Sequence, residues 1–393
     1  MNAERKRNEE INMALMSDQT AQALRHCACA RGLVLAKKQK LRYTVVSIDR
    51  KGTKEDMKTL LLHADEIEKA AAVIKSGGLV AMPTETVYGL AADALNGEAV
   101  AKIFRAKGRP MDNPLIVHIS DLSQIRELVR EFPEKAQKLA EAFWPGPLTI
   151  ILPKSDKIPP EVSAGLDTVA IRYPSHPVAH QLIALSVPLA APSANLSGSP
   201  SPTTAQHVMA DMNGRIDAVI DGGECSVGVE STVITLACDP PRLLRPGGVT
   251  LEELREVLGE VEMDDAVLNP LKSGQQAASP GMKYKHYAPK ANVVLLKGNA
   301  EAFLRFVNRQ NDGKTAVLCY EEDIDELQLP YLLLGKAGDY EAQAMRLFGA
   351  LREADEKGYT TVYAHCPATQ GVGLAVYNRM IRAAGFEVMV LDD

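Results

Sequence analysis

The sequence predicts an α/β protein with two core-forming regions. Short apolar runs alternate with segments of helical periodicity along most of the 393 residues, and this alternation is typical of α/β folds. Residues 264–290 carry no repeating apolar pattern, and the alternation restarts after them. We therefore expect a larger domain over 55–263, a linker over 264–290 and a small Rossmann-like, doubly wound α/β domain over 291–393.

The composition is that of a protein with a large core. Hydrophobic residues make up 46% of the chain, and no apolar run approaches the roughly 18 residues of a membrane helix. The net charge of −6 argues against a general nucleic-acid binder. Among the six cysteines, only Cys27 and Cys29 are close together, and they lack the C-x-x-C spacing of a zinc site. We expect reduced thiols in a cytoplasmic protein without a membrane segment.

The first 54 residues differ in charge from the rest of the chain. They hold twelve Lys/Arg and five Asp/Glu, a net +7, which leaves −6 − 7 = −13 for the remainder. An RNA-binding arm or a targeting peptide fits this excess. The segment lacks the apolar core of a secretory signal, and its acidic residues are atypical of an organelle transit peptide. We expect an N-terminal extension that is poorly ordered at its start.

The elements of the larger domain follow from periodicity and turn residues. Apolar residues at 67, 70, 71 and 74 share one face of a helix at 65–75, which Gly77-Gly78 ends. Thr250 and Glu253 form a capping-box pattern at the start of another helix. The other predicted helices are 11–31, 100–105, 121–132, 133–143, 177–185 and 204–212. The predicted strands are 44–48, 78–82, 115–119, 148–152, 168–172, 187–191, 218–220 and 231–234.

The small domain shows the same alternation. Apolar runs predict its strands at 293–296, 315–318, 362–364 and 387–391, and helical periodicity predicts helices at 301–308, 340–357 and 374–384. Gly371-Val372-Gly373 is not a dinucleotide fingerprint, because no third glycine follows at the required spacing. We interpret it as a structural turn.

Residues 83–118 combine the polar groups of an anion site. The strand at 78–82 runs into the hydroxyl-rich sequence Pro83-Thr84-Glu85-Thr86, and Lys107 and Arg109 stand on a Gly/Pro loop before the next strand. Arginine donates hydrogen bonds in a planar fork and lysine acts as a point charge, and both suit phosphate. Hydroxyls and fixed cations between buried strands predict a phosphate-binding site.

Five stretches carry a resemblance to a known family. They are 83–90 (PTETVYGL), 107–118 (KGRPMDNPLIVH), 168–172 (TVAIR), 192–195 (PSAN) and 230–233 (ESTV). In this order they are similar to the YrdC-like family, in the long two-domain form of the threonylcarbamoyl-AMP synthases. The resemblance implies a twisted mixed sheet with an open cavity. It also implies synthesis of threonylcarbamoyl-AMP and pyrophosphate from L-threonine, bicarbonate and ATP, for modification of adenosine 37 in tRNA.

The resemblance assigns roles to residues at matching positions. The catalytic pair is Lys107 and Arg109, through contacts with the triphosphate. The L-threonine contacts are Thr86, His118, Arg172, Ser193 and Ser231. The ATP contacts are Arg109, Asn113, Thr168, Asn195, Thr203, Arg245 and Tyr287. Tyr287 matches a linker tyrosine that reaches the nucleotide, so residues 279–289 are expected to form a lid.

Arg172 also stands out from the residues alone. It ends an apolar strand and has no acidic residue beside it in the sequence. A buried arginine needs a negative partner, which is either an anionic ligand or a carboxylate from elsewhere in the chain.

The resemblance also implies cofactors and partners. ATP is a substrate, and Mg²⁺ is expected to be bound through its phosphates, because the sequence shows no dedicated acidic metal cluster. The product is expected to pass to the downstream tRNA threonylcarbamoyl transferase machinery.

Two other functions are compatible with parts of the pattern. An RNA-binding YrdC-like protein without adenylate synthesis would use the basic N-terminal segment, and its RNA binding would be salt-sensitive. A carbamoyl transferase domain of the hydrogenase-maturation type would be accompanied by acylphosphatase and zinc-finger modules, which the sequence does not show.

Overall fold

The computed structural model describes residues 58–271, 279, 287–310 and 312–392. Two β-sheets with flanking helices account for these residues. The predicted N-terminal extension, its helix at 11–31 and its strand at 44–48 lie outside the described residues. So does most of the predicted lid, of which Ser279 and 287–289 are described.

The larger sheet has eleven strands within the described residues. In chain order they are β1 Leu60–His63, β2 Val80–Met82, β3 Gly89–Asp93, β4 Ile116–His118, β5 Leu148–Pro153, β6 Thr168–Arg172, β7 Leu189–Ala190, β8 Ala218–Asp221, β9 Thr232–Thr235, β10 Arg242–Arg245 and β11 Glu262–Met263. Across the sheet the order is β1-β8-β2-β3-β7-β4-β6-β5-β9-β10-β11. Parallel and antiparallel neighbours occur together, for example β4 with β6 and β5 with β6. The predicted mixed sheet is confirmed.

Amphipathic helices cover this sheet. They are α1 Ile67–Lys75, α2 Gly97–Lys107, α3 Ile125–Leu128, α4 Glu134–Phe143, α5 Pro160–Ser163, α6 Pro177–Leu185, α7 Ala205–Met212 and α8 Leu251–Leu258. The buried face of α1 is the one that the sequence predicts, with Ile67, Ala70, Ala71 and Ile74 inside. The predicted capping box is present, since Thr250 accepts a hydrogen bond from the Glu253 amide and Glu253 accepts one from the Thr250 amide.

The C-terminal sheet is entirely parallel within the described residues. Its strands are β12 Asn292–Lys297, β13 Thr315–Tyr320, β14 Tyr331–Gly335, β15 Thr361–His365 and β16 Val388–Val390, in the order β14-β13-β15-β12-β16. Its α-helices are α9 Ala300–Val307, α10 Tyr340–Glu356 and α11 Gly373–Ala383. Parallel strands joined through helices confirm the predicted small α/β domain.

The structure contains elements that the sequence did not predict: strands β1, β3, β10, β11 and β14 and the short helix α5. Strand β3 was not predicted, because its sequence GLAAD lacks β-branched residues and pairing with β2 and β7 creates it. The predicted helix at 121–132 is only a 3₁₀ turn, Leu122–Gln124, followed by α3. It ends early because Val129 is extended and pairs with Lys154 in an isolated bridge.

The described residues contain neither a disulfide nor a membrane-spanning helix. Cys225, Cys238, Cys319 and Cys366 are free thiols, and the first and third are buried. None of the described helices is both long and apolar enough to cross a bilayer.

The two sheets share an apolar cluster. Val87 and Val229 of the larger domain are buried together with Leu347 and Phe348 of α10. Gly228 lies at this contact with φ of 77°, and a Cβ there would fall 2.2 Å from the Met345 Cα. The main chain of the larger domain therefore approaches α10 as closely as a glycine allows.

We predict that Gly228→Ala destabilises the protein more than Gly165→Ala. Both glycines have positive φ, but a Cβ at Gly165 meets nothing within 4 Å. Gly165→Ala should cost only the left-handed strain of about 1–2 kcal/mol. Gly228→Ala adds an overpacking cost of about 1–3 kcal/mol, because α10 must move. Differential scanning calorimetry measures both midpoints, and equal decreases would contradict the tight domain contact.

Candidate active site

A cavity opens near the middle of the larger sheet, where several strands end. The space that it encloses, together with the solvent-open mouth, amounts to about 540 Å³. The predicted site residues that line it are Thr86, Arg109, His118, Arg172, Ser193, Ser231, Arg245 and Tyr287. Among the described residues, Lys107, Asn113, Thr168, Asn195 and Thr203 lie outside this lining.

Strand register brings three of the polar residues together. His118 of β4 pairs with Arg172 of β6, and Arg172 pairs with Thr149 of β5. The Thr149 and Ser231 hydroxyls lie 2.8 Å apart. Residues that are far apart in the chain therefore stand side by side, because β4, β6, β5 and β9 are consecutive in the sheet.

Arg172 has a carboxylate from elsewhere in the chain beside it, one of the two kinds of partner that the sequence left open. Its Nη2 atom lies 2.8 Å from Glu85 Oε1, and both side chains are buried. The contact is close but poorly oriented, since both Glu85 oxygens and Arg172 Nε and Nη2 have no hydrogen-bond partner among the described residues. Sequence reasoning missed this pair because Glu85 is far from Arg172 along the chain. A substrate carboxylate contact by Arg172 remains a prediction.

His118 is a neutral, buried imidazole. Its Nδ1 atom lies 3.2 Å from the Ile116 carbonyl oxygen. Burial, followed by the nearby positive charge of Arg172, lowers the pKa of His118 to about 3. The side chain can therefore offer hydrogen bonds at neutral pH without adding charge to the cavity.

Ser231 and Arg245 form one hydrogen-bonded unit. Arg245 Nε donates to the Ser231 carbonyl oxygen at 3.0 Å, and its Nη2 donates to the Ser231 hydroxyl at 3.1 Å. Arg245 is nearly fully buried, and burial lowers its pKa to about 10, so it stays protonated at neutral pH. Ser231, a predicted threonine contact, and Arg245, a predicted ATP contact, are thus held together by hydrogen bonds.

Arg109 projects from the loop after α2 into the cavity. Its guanidinium carbon lies 5.9 Å from the centre of the Phe104 ring. With its amide oriented to satisfy both atoms, buried Asn113 accepts from Arg109 Nη2 at 3.1 Å and donates to the Ser279 carbonyl at 3.1 Å. Asn113 therefore joins Arg109 to the linker rather than lining the cavity.

The structure gives Lys107 a different setting from the predicted one. It is the last residue of α2, before left-handed Gly108, and not part of the loop. Its ammonium group is buried and donates to the carbonyl oxygens of Ser193 and Asn195, the latter at 2.7 Å. Burial, together with nearby Arg109, holds the pKa of Lys107 well below its usual range. These contacts fix the Ser193–Asn195 turn, and a direct role of Lys107 on phosphate stays a prediction.

Three predicted ATP residues also stand away from the cavity. Thr168 begins β6, four residues before Arg172, which is about 13 Å along a strand. Asn195 donates from Nδ2 to the Leu196 and Ser199 carbonyls, each at 2.8 Å. The Thr203 hydroxyl lies 3.4 Å from His207 Nδ1. Asn195 and Thr203 thus make local contacts, although Asn195 Oδ1 is buried without a hydrogen-bond partner among the described residues. The contact of all three residues with ATP stays a prediction.

Two residues of the site were missed as functional candidates. Glu230 is buried and lines the cavity, and Arg379 of α11 pairs with it at 2.7 Å. Glu230 stood in the sequence only as part of the ESTV motif. Arg379 carried no signal, because helix α11 has no motif and its partner lies 149 residues away.

We predict that His118→Gln reduces the decrease in the free energy of unfolding that the wild type shows as the pH falls below 6.5. The unfolded imidazole binds a proton near pH 6.5, whereas the folded one does so only near pH 3, so folding loses free energy as the pH falls below 6.5. The slope is about 1.4 kcal/mol per pH unit. Urea unfolding at pH 7.5, 6 and 5 should show this additional loss in the wild type only. If the free energy of unfolding changes with pH in the same way in the wild type and in the variant, His118 is not a buried neutral imidazole.

Similarity to known proteins agrees with this geometry. Residues 72–247 match the family described as Telomere recombination (Sua5_yciO_yrdC), and residues 249–385 match the family described as Threonylcarbamoyl-AMP synthase, C-terminal domain. A threonylcarbamoyl-AMP synthase of Pyrococcus abyssi is 48% identical over 82% of this chain and 95% of its own length. One of Bacillus subtilis is 47% identical over 82% and 94%.

A solved structure extends the similarity to three dimensions. The crystal structure of P. abyssi Sua5 complexed with L-threonine has a TM-score of 0.78 and 45% identity, and the match covers 85% of this chain and 99% of that one. Both the mixed sheet with its cavity and the small parallel sheet fall within such a match. The chain therefore belongs to the threonylcarbamoyl-AMP synthase family of enzymes.

Proposed function

We propose that the cavity holds L-threonine beside the triphosphate of ATP and forms threonylcarbamoyl-AMP with release of pyrophosphate. The observation that carries this proposal is the charge of the lining. Arg109, Arg172 and Arg245 all border one cavity. Glu230, the acidic residue among its described lining, is paired with Arg379 outside it, and Arg172 is paired with Glu85, so Arg109 and Arg245 leave a positive excess. A cavity with this excess of positive charge suits a substrate carboxylate, a carbonate-derived anion and a triphosphate together.

The proposed reaction requires positioning rather than an enzyme-bound intermediate. The threonine amine attacks the carbon of bicarbonate, water leaves, and a carbamate forms. A carbamate oxygen then attacks the α-phosphorus of ATP, and the bond to the β-phosphate oxygen breaks to release pyrophosphate. Cations that hold three anions in contact lower this barrier by offsetting their repulsion and fixing the attack geometry.

We assign the threonine half to the strand ends. Arg172 would hold the carboxylate by exchanging its poorly oriented contact with Glu85 for a charge-assisted hydrogen bond. Neutral His118 and the hydroxyls of Thr86, Ser193 and Ser231 would orient the amine and the side chain. Ile116 and Ala191 supply apolar surface beside them.

We assign the nucleotide half to the loops. Arg109 and Arg245 would contact the phosphates, and Tyr287 would contact the nucleotide. The expected contacts of Asn113, Thr168, Asn195 and Thr203 with ATP remain proposals, while Lys107 would act through the turn that it holds. Within the described ranges, no group of three or more histidine, cysteine or acidic side chains could bind a metal ion, so we propose that Mg²⁺ arrives with the triphosphate.

We further propose a cytoplasmic role in tRNA modification. The mixed anhydride product is reactive, and it would pass to downstream tRNA threonylcarbamoyl transferase machinery acting on adenosine 37. Bicarbonate would supply the carbamoyl carbon.

We predict that pyrophosphate release by the purified protein requires ATP, threonine and bicarbonate together. Arg109→Ala should lower kcat/KM for ATP by about ten- to a hundredfold, the equivalent of one charge-assisted hydrogen bond of about 1.5–3 kcal/mol. Arg105→Ala is the matched control, since Arg105 lies in the last turn of α2, four residues before Arg109, and is exposed. If no amino acid supports pyrophosphate release and the protein binds RNA with an affinity that falls as salt increases, the RNA-binding alternative is favoured.

We also predict incomplete discrimination between threonine and serine. The two substrates differ by one methyl group, and a methyl-sized apolar contact provides about 1–3 kcal/mol. The ratio of kcat/KM values should therefore lie between about 10 and 200 in favour of threonine. Competition assays with both amino acids measure this ratio. Equal rates would place the threonine methyl outside the apolar surface of Ile116 and Ala191.

A further inference from the structure

One arginine of the small domain contacts two polypeptide segments that line the cavity, at Glu230–Ser231 and at Arg245, which we call the cavity floor. Arg379 lies on α11 and is completely buried. Its Nε atom donates to Glu230 Oε2 at 2.7 Å, and its Nη2 atom donates to the Glu230 carbonyl oxygen at 3.1 Å. Its Nη1 atom donates to the Pro246 carbonyl oxygen at 2.9 Å. A single planar group thus fixes the main chain at two places.

These two places flank the site residues. Glu230 directly precedes Ser231, and Pro246 directly follows Arg245. Ser231 and Arg245 are themselves joined by two hydrogen bonds. Arg379 therefore connects α11 to the neighbours of both site residues, so a displacement of α11 would also displace Ser231 and Arg245.

Tyr287 completes the contact. The guanidinium carbon of Arg379 lies 5.5 Å from the centre of the Tyr287 ring, within the range of a cation–π interaction. Phe348 of α10 also contacts the tyrosine, with the two ring centres 5.4 Å apart. The small domain therefore contacts Tyr287, which lines the cavity, through two of its side chains.

Arg379 also sets the charge at the cavity floor. Glu230 is 7% exposed, and its other carboxylate oxygen accepts a hydrogen bond from Ser201. Burial raises the pKa of Glu230, but Arg379 and Arg245 outweigh it and hold that pKa below its ordinary value. Without Arg379, the carboxylate would compete for the Arg245 guanidinium and would repel an incoming phosphate.

We propose that Arg379 is a positioning residue of the nucleotide site, which it holds in shape from the small domain by fixing Glu230, the Arg245–Pro246 segment and Tyr287. This inference rests on the proposed function, because it takes the cavity to be the ATP site. Arg379 itself lies behind the cavity wall and acts through its neighbours.

The test compares three variants in ATP binding and in turnover. Arg379→Met should raise the ATP dissociation constant and the KM for ATP about tenfold or more, with a smaller effect on the KM for threonine. Arg379→Lys keeps a cation near Glu230 but cannot donate to both carbonyls at once, so it should restore the midpoint of thermal unfolding more fully than ATP affinity.

Arg352→Met is the matched control for domain docking. Arg352 of α10 makes two hydrogen bonds to Asp211 and one to the Pro200 carbonyl, so it also links the two domains. The contacts of Arg352 involve neither Ser231 nor Arg245. Its loss should lower the midpoint of thermal unfolding and leave the ATP dissociation constant within about twofold.

The outcomes separate the possibilities. If Arg379→Met lowers the midpoint as Arg352→Met does but leaves ATP affinity unchanged, Arg379 is only structural and the proposal is overturned. If Arg379→Met does not fold, Arg379→Lys decides the matter, and wild-type ATP affinity in that variant overturns the proposal. Isothermal titration with ATP needs no turnover. A wild type that binds ATP but releases no pyrophosphate therefore overturns the proposed function alone, and one that binds no ATP overturns both.

Discussion

The buried ion pair between Glu230 and Arg379 is the contact on which the architecture of the site depends. Removing both charges from water is costly, and the cost is offset only when each remaining polar atom has a partner. Here the guanidinium reaches a carboxylate and two carbonyls, and the carboxylate also accepts from Ser201. A pair satisfied to this degree fixes its surroundings, because any shift leaves a buried group unpaired.

A second buried pair has the opposite character. Arg172 and Glu85 are close in space, yet four of their polar atoms have no hydrogen bond among the described residues. One pair therefore holds the cavity floor in place, while the other retains unused hydrogen-bonding capacity next to the cavity. Lys107 also holds its surroundings in place, because its buried ammonium group donates hydrogen bonds to the carbonyl oxygens of Ser193 and Asn195.

Much of the fold could be predicted from sequence, because hydrophobic periodicity is a local property. The helices α4, α6 and α7 and the strands β5 and β6 follow their predicted ranges closely. Strand β3 could not be predicted, since only its neighbours make GLAAD extended. In the site, the family resemblance named Arg109, Arg245 and Tyr287, and all three line the cavity. It did not identify Glu85 or Arg379 as site residues, because their contacts are with residues distant in the chain.

The position of α11 in the chain has a consequence for biosynthesis. Ser231 and Arg245 emerge from the ribosome well before Arg379, which follows Pro246 by 133 residues in the sequence (379 − 246). At about 5–20 residues per second, this interval is on the order of ten seconds. During that time the nascent larger domain carries a carboxylate at Glu230 without its cation. The cavity floor can thus reach its final form only after α11 has left the ribosome.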